Sequence, residues 1–137
     1  MVKKIVVGSV GNDIHTVAIR LLQIELEARG YQVVYLGVNR EPHDFVNEAL
    51  SADASAVLVS TTNGEAAVWC KSIPRLFLEA RLVDVILVLG GNLGLGDYDD
   101  ALVEQSYIDA GFDFVFSRRG RPVEVVDLID KELKNGS

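Results

Sequence analysis

Asp13 and His15 stand two residues apart in the polar stretch Gly8-Ser-Val-Gly-Asn-Asp-Ile-His15. A carboxylate that close to an imidazole can hold one ring nitrogen and leave the other free to bind a metal ion. The same pair also suits a helix start, with Asp13 capping the first turn and His15 at the surface. Two more stretches carry unusual residue types. Ser60-Thr-Thr-Asn-Gly64 puts hydroxyls and an amide directly after an apolar run. Gly90-Gly-Asn-Leu-Gly-Leu-Gly96 is rich in glycine, which lets a ligand approach the backbone. The other candidates read blandly. His43 follows a proline in a helix-start segment and reads as solvated, and Cys70 reads as a helix residue packed beside Trp69. Tyr98-Asp99-Asp100 reads as helix-starting acids rather than a metal site.

These stretches fall between the elements of five strand–helix units. An apolar strand at Lys4–Gly8 precedes the first stretch. After it Ile14, Val17, Ala18, Leu21, Leu22 and Ala28 recur with the spacing of one buried helix face, ended by Gly30. Tyr31–Leu36 reads as the second strand, followed by a helix from Glu41-Pro42 with Phe45, Val46, Ala49 and Leu50 inward. Ala56–Ser60 is a continuous apolar run suited to a strand buried on both faces. The next helical stretch contains Val68, Trp69, Leu76, Phe77 and Ala80, with Pro74 inside it. An interior proline costs about 3 kcal/mol, so this helix must kink or restart near Ser72. The strand Val85–Leu89, a helix from Tyr98 to Gly111, the strand Phe114–Phe116 and a helix opened by Pro122 complete the chain. In that last helix Val125, Leu128, Ile129 and Leu133 face inward.

Strict strand–helix alternation with short connections predicts an α/β fold of one domain over residues 1–137. The expected architecture is flavodoxin-like (Rossmann-like): a doubly wound five-stranded parallel sheet of order 2-1-3-4-5. Its switch point lies between the first and third strands, so Gly8–His15, Ser60–Gly64 and Gly90–Gly96 converge on one rim. The chain has 137 residues, 49% of them hydrophobic, enough for a sizeable core. No apolar run approaches the roughly 20 residues that span a bilayer. The net charge of −7 argues against nucleic acid and anionic membranes as partners. One cysteine and no export signal point to a reducing cytoplasm.

Several ligand classes fail on residue chemistry. Gly8 and Gly11 are a poor match to the dinucleotide fingerprint, and Ser9 alone is too few hydroxyls for a flavin phosphate loop. A receiver domain needs an aspartate where Ser60 stands, and a lysine where Ser117-Arg118 stand. The motifs Asp13-Ile14-His15-Thr16-Val17-Ala18, Ser60-Thr61-Thr62 and Gly90-Gly91 resemble instead the D-x-H-x-x-G, S-x-L and G-G pattern of cobalamin-binding domains. Those domains belong to carbon-skeleton mutases and corrinoid methyltransferases. Over nearly its full length the chain looks most like the small subunits of glutamate (methylaspartate) mutase, through Gly37-Val38, Asp44-Phe45, Cys70-Lys71, Gly90-Gly91-Asn92 and Gly111-Phe112-Asp113.

The resemblance implies adenosylcobalamin as cofactor, with His15 as the lower cobalt ligand and Asp13 tuning it through the second ring nitrogen. It implies a cofactor-binding set of Asp13, Ile14, His15, Ala18, Ser60, Thr62, Gly64, Gly90, Gly91, Asn92 and Gly120. The cofactor's nucleotide tail would enter a slot between the sheet and the first and last helices, with the Ser60 hydroxyl on its benzimidazole. It further implies a catalytic large subunit as partner in a heterotetramer, no activity without it, and interconversion of glutamate and 3-methylaspartate by a radical route. Three departures touch the tail slot: Ala18 replaces glycine, Thr62 replaces leucine, and Arg119-Gly120-Arg121 stands for Pro-Gly-Thr. A methyl-transfer corrinoid carrier and a non-enzymatic cobalamin sensor or scaffold are the alternatives. The carriers usually place a helical cap before this domain, and this sequence opens on its first strand.

Overall fold

The computed structural model describes residues 2–10, 17–61, 68–94, 99–117 and 121–135, with the backbone alone at 17, 18 and 135. Five parallel strands form one sheet in the order β2-β1-β3-β4-β5, as expected from the alternation. They are β1 (Lys4–Val10), β2 (Gln32–Arg40), β3 (Ala56–Thr61), β4 (Ile86–Gly91) and β5 (Phe114–Ser117). The helices are α1 (Val17–Ala28), α2 (Pro42–Ala52), α3 (Ile73–Glu79), α4 (Asp100–Ala110) and α5 (Pro122–Asn135).

Period-two alternation sorts the strand residues into two cores. Val6, Val57, Val59, Leu87, Leu89 and Val115 face α2, α3 and α4, where Phe45, Ile73, Phe77 and Tyr107 meet them. Ile5, Val7, Ala56, Leu58 and Val88 face α1 and α5, against Ile19, Leu26, Val126, Ile129 and Leu133. Both faces of the central strands are therefore covered, which explains their unbroken apolar runs.

Every strand reaches further toward its carboxyl end than its apolar run suggests. Ser9, Val10, Thr61, Gly90, Gly91 and Ser117 are strand residues, because backbone pairing with a neighbour continues past the last apolar side chain. Pro74 acts as the sequence implies: Val68–Ser72 is a 3-10 turn, and α3 starts after it with the proline in its first turn. Gly30 takes a positive φ of 91° beyond the end of α1.

Three inward assignments need correction: Leu21, Ala28 and Leu50. Leu21 and Ala28 of α1 point outward, and the buried residues of that helix are Ile19 and Leu26. Leu50 of α2 is exposed, because the inward arc closes with Ala49. Trp69 and Val68 are both 58% exposed. Cys70, next to Trp69, turns into the core, since a 3-10 turn aims successive side chains about 120° apart.

Candidate functional site

One row of side chains runs across the carboxyl end of the sheet on the face covered by α1 and α5. Strand register aligns Ser9 with Ser60, Ser60 with Gly90, and Gly90 with Phe116. The row beneath it on the same face aligns Val7, Leu58, Val88 and Phe114. Side-chain volume thus drops sharply over the last layer of three neighbouring strands. The last layer is a trough in side-chain volume, made of two serines and bare backbone.

Each member has its own environment. Ser9 is fully buried, and its hydroxyl donates to the Ser60 carbonyl at 2.9 Å, tying the ends of β1 and β3. Ser60 is half-buried, and among the described residues nothing bonds its hydroxyl. Gly90 is not forced by its backbone, whose φ is not positive. Among the described residues, a Cβ there would meet the Phe116 carbonyl oxygen at 3.7 Å and its Cβ at 3.9 Å, ordinary contact distances. Gly91 differs: its φ is 122°, and a Cβ would fall on the Thr61 carbonyl oxygen. Asn92 is exposed, and its N–H donates to the Thr61 carbonyl at 2.8 Å.

Toward the amino end of the sheet, α1 and α5 are bound together. Arg29 pairs with Glu25, Asp127 and Asp130, and Lys134 approaches Asp130 at 3.1 Å. The Tyr31 hydroxyl donates to Asp130, and Lys3 Nζ donates to the Leu133 carbonyl at 2.7 Å. Burial first, then the Asp130 hydrogen bond, pushes the Tyr31 phenol up to about 12. The Tyr31 hydrogen bond holds the Asp130 carboxyl below its ordinary value, against burial and with help from Lys134 and Arg29.

Of the expected site residues, the structure aligns Ser60 with Gly90 and places Gly91 and Asn92 directly after them. Ala18 lies in the first turn of α1. Asp13, Ile14, His15, Thr62, Gly64 and Gly120 lie outside the described residues. Ser9 was missing from the expected set. Its signal was a hydroxyl at the period-two position of Ile5 and Val7, which shows only once β1 is extended past Gly8.

The bland candidates have plain explanations. Asp99 caps α4, its carboxylate accepting from the Ala101 and Leu102 N–H groups at 2.9 and 3.2 Å. His43 is exposed. Burial pushes the Cys70 thiol up to about 12, so it is no nucleophile at neutral pH. A groove of about 370 Å³ between α3 and the amino ends of β4 and β5 is apolar apart from Arg75 and Asp113. There the Asp113 carboxylate is already taken by the Leu87 N–H at 2.8 Å.

A family model described as the B12 binding domain matches residues 3–126. The chain belongs to that family. A glutamate mutase sigma subunit from Carboxydothermus hydrogenoformans is 37% identical to this B12-binding chain over 129 residues, 94% of each protein. Glutamate mutase sigma subunit 1 of Haloarcula marismortui is 35% identical over 98% of this chain and 88% of its own length. A cobalamin-binding protein from Desulfitobacterium hafniense superimposes with a TM-score of 0.78 over 95% of this chain. At 19% identity that likeness speaks for the fold alone, and the chain spans 58% of that protein's length. Among the described residues, the row fits what a B12-binding domain must hold: a glycine with space for a Cβ stands beside a half-buried hydroxyl.

Proposed function

We propose that this chain is the cobalamin-binding small subunit of an adenosylcobalamin-dependent glutamate mutase, working in the cytoplasm in a heterotetramer with a catalytic large subunit. The observation that carries the reading is the Ser9–Ser60–Gly90 row, found in a chain whose relatives are glutamate mutase sigma subunits. His15 would ligate the cobalt, and Asp13 would fix and polarise the imidazole through its other nitrogen. The nucleotide tail would lie in the trough, with the Ser60 hydroxyl available to its benzimidazole and the Gly90 backbone against its flank. Ile14, Ala18, Thr62, Gly64, Gly91, Asn92 and Gly120 would line the approach.

Adenosylcobalamin, when bound, supplies the weak cobalt–carbon bond that makes radical chemistry possible. The chain's own residues bind and orient. The ion-paired clamp between α1 and α5 would close the far end of the slot and leave the tail one way in. Radical chemistry requires water to be excluded, and the large subunit would cover the exposed face while holding the amino acid.

Two measurements test this reading. Paramagnetic resonance of cob(II)alamin bound to nitrogen-15-labelled protein should show coupling to a protein nitrogen, lost in His15→Ala. Coupling only to the cofactor's own benzimidazole would sink the ligand assignment. Mixing with a glutamate mutase large subunit should give adenosylcobalamin-dependent 3-methylaspartate formation, with none from the chain alone. Tight cobalamin binding without turnover beside any mutase partner would transfer the protein to the carrier or sensor class.

A further inference from the structure

Helix α1 has two apolar faces. Ile19 and Leu26 are buried, with Leu22 half-buried beside them. On the opposite side Leu21 is 46% exposed, Ile24 is 61% exposed, and Ala28 is exposed as well. Leu21, Ile24 and Ala28 follow one another at three- and four-residue steps, the spacing of a helix-pairing seam. Nothing in the core calls for them, since the inward arc is already filled.

The charges beside that seam are arranged for one kind of partner. Arg20 and Glu27 are both exposed and share one flank. They lie two turns apart, about 10 Å along the helix, and so do not pair within it. On the other flank, Glu25 is already held by Arg29 at 3.1 Å. Arg20 stacks over the Tyr35 ring at 3.8 Å and donates to Gln23, which fixes its direction.

We propose that this face docks a second copy of the chain, the two α1 helices packing antiparallel about a two-fold axis. That axis sets Leu21 against the partner's Ile24, and Ile24 against the partner's Leu21. On the flank, Arg20 falls beside the partner's Glu27, and the symmetry repeats the ion pair on the other side. A parallel arrangement would have to draw Glu25 away from Arg29. The face is self-complementary in shape and charge, as an isologous interface requires. One short helix pair buries little area, so the dimer is weak and reversible.

The test is sedimentation equilibrium of the full chain from micromolar to millimolar concentration at low salt, where exposed ion pairs count most. Wild type should show a monomer–dimer equilibrium, and Ile24→Glu should abolish it. Arg20→Glu and Glu27→Arg should each weaken association by about tenfold, replacing two attractions with two repulsions. Combining the two swaps should restore it. Glu27→Arg leaves the Tyr35 stacking intact, and circular dichroism checks the fold of every variant. In mild oxidant, Leu21→Cys with Ile24→Cys should form disulfide-linked dimers, because native Cys70 is buried. A monomer at all concentrations, or a double swap no better than the singles, overturns the proposal. So does protection of this face that appears only when a mutase large subunit is added.

Discussion

Among the described residues, a methyl group placed on Gly90 meets only ordinary contacts, while the same group on Gly91 strikes the Thr61 backbone. Gly90→Ala should therefore fold as wild type does and lose cobalamin affinity, measured by titration followed in the visible spectrum. Gly91→Ala should lose at least about 2 kcal/mol of stability in urea whether or not cofactor is present, from left-handed strain plus overlap. If Gly90→Ala binds cobalamin unchanged, the tail does not lie along β4. Ala18→Gly should leave binding equal or slightly tighter, because helix glycine costs roughly 0.5–1 kcal/mol against any room gained. A clear loss of affinity at unchanged stability would route the tail elsewhere. At this scale the sequence was legible wherever residue type decides, as at Ser60 and Gly90. It failed on α1, where apolar residues on both faces let the periodicity be phased on the outer one.

The helices on the α1 face answer to pH through Tyr31 and Asp130. Asp130 has a lowered folded pKa. Its contribution is complete above the unfolded value of about 4, and is lost as pH falls through the lower folded one. Tyr31 is raised to about 12, so its contribution is complete below about 10 and is lost as pH climbs toward the folded value. Thermal melts should therefore weaken at both limits. Asp130→Asn should flatten the acid limb and Tyr31→Phe the alkaline one. Melts whose pH dependence ignores both substitutions would mean that other groups set the limits. On the opposite face, Phe77→Ala should cost about 3–5 kcal/mol, since its ring is buried against α2 and the sheet. Strand and helix order were readable because strict alternation admits few topologies. Strand ends were not, because the pairing that carries β1, β3 and β4 to Ser9, Thr61 and Gly91 is made between distant segments.

Across the whole molecule, the trough at the carboxyl end and the ion-paired clamp at the amino end divide the work between opposite poles of one sheet. The lateral borders of that sheet are as telling. β2 is nine residues long and lies at one border, yet its pairing with β1 slips between Val7 and Gly8 and again before Val10. Gly37 and Asn39 take φ of 85° and 59° there, and Arg40 Nε donates to the Leu36 carbonyl at 2.7 Å. The other border, β5, offers four residues. Neither presents the long, flat row of donors and acceptors on which a stray strand could crystallise. When heated in concentrated solution, the protein should cloud into amorphous, dye-negative particles and seed no fibrils, a colloidal temperament written into the rims of its sheet.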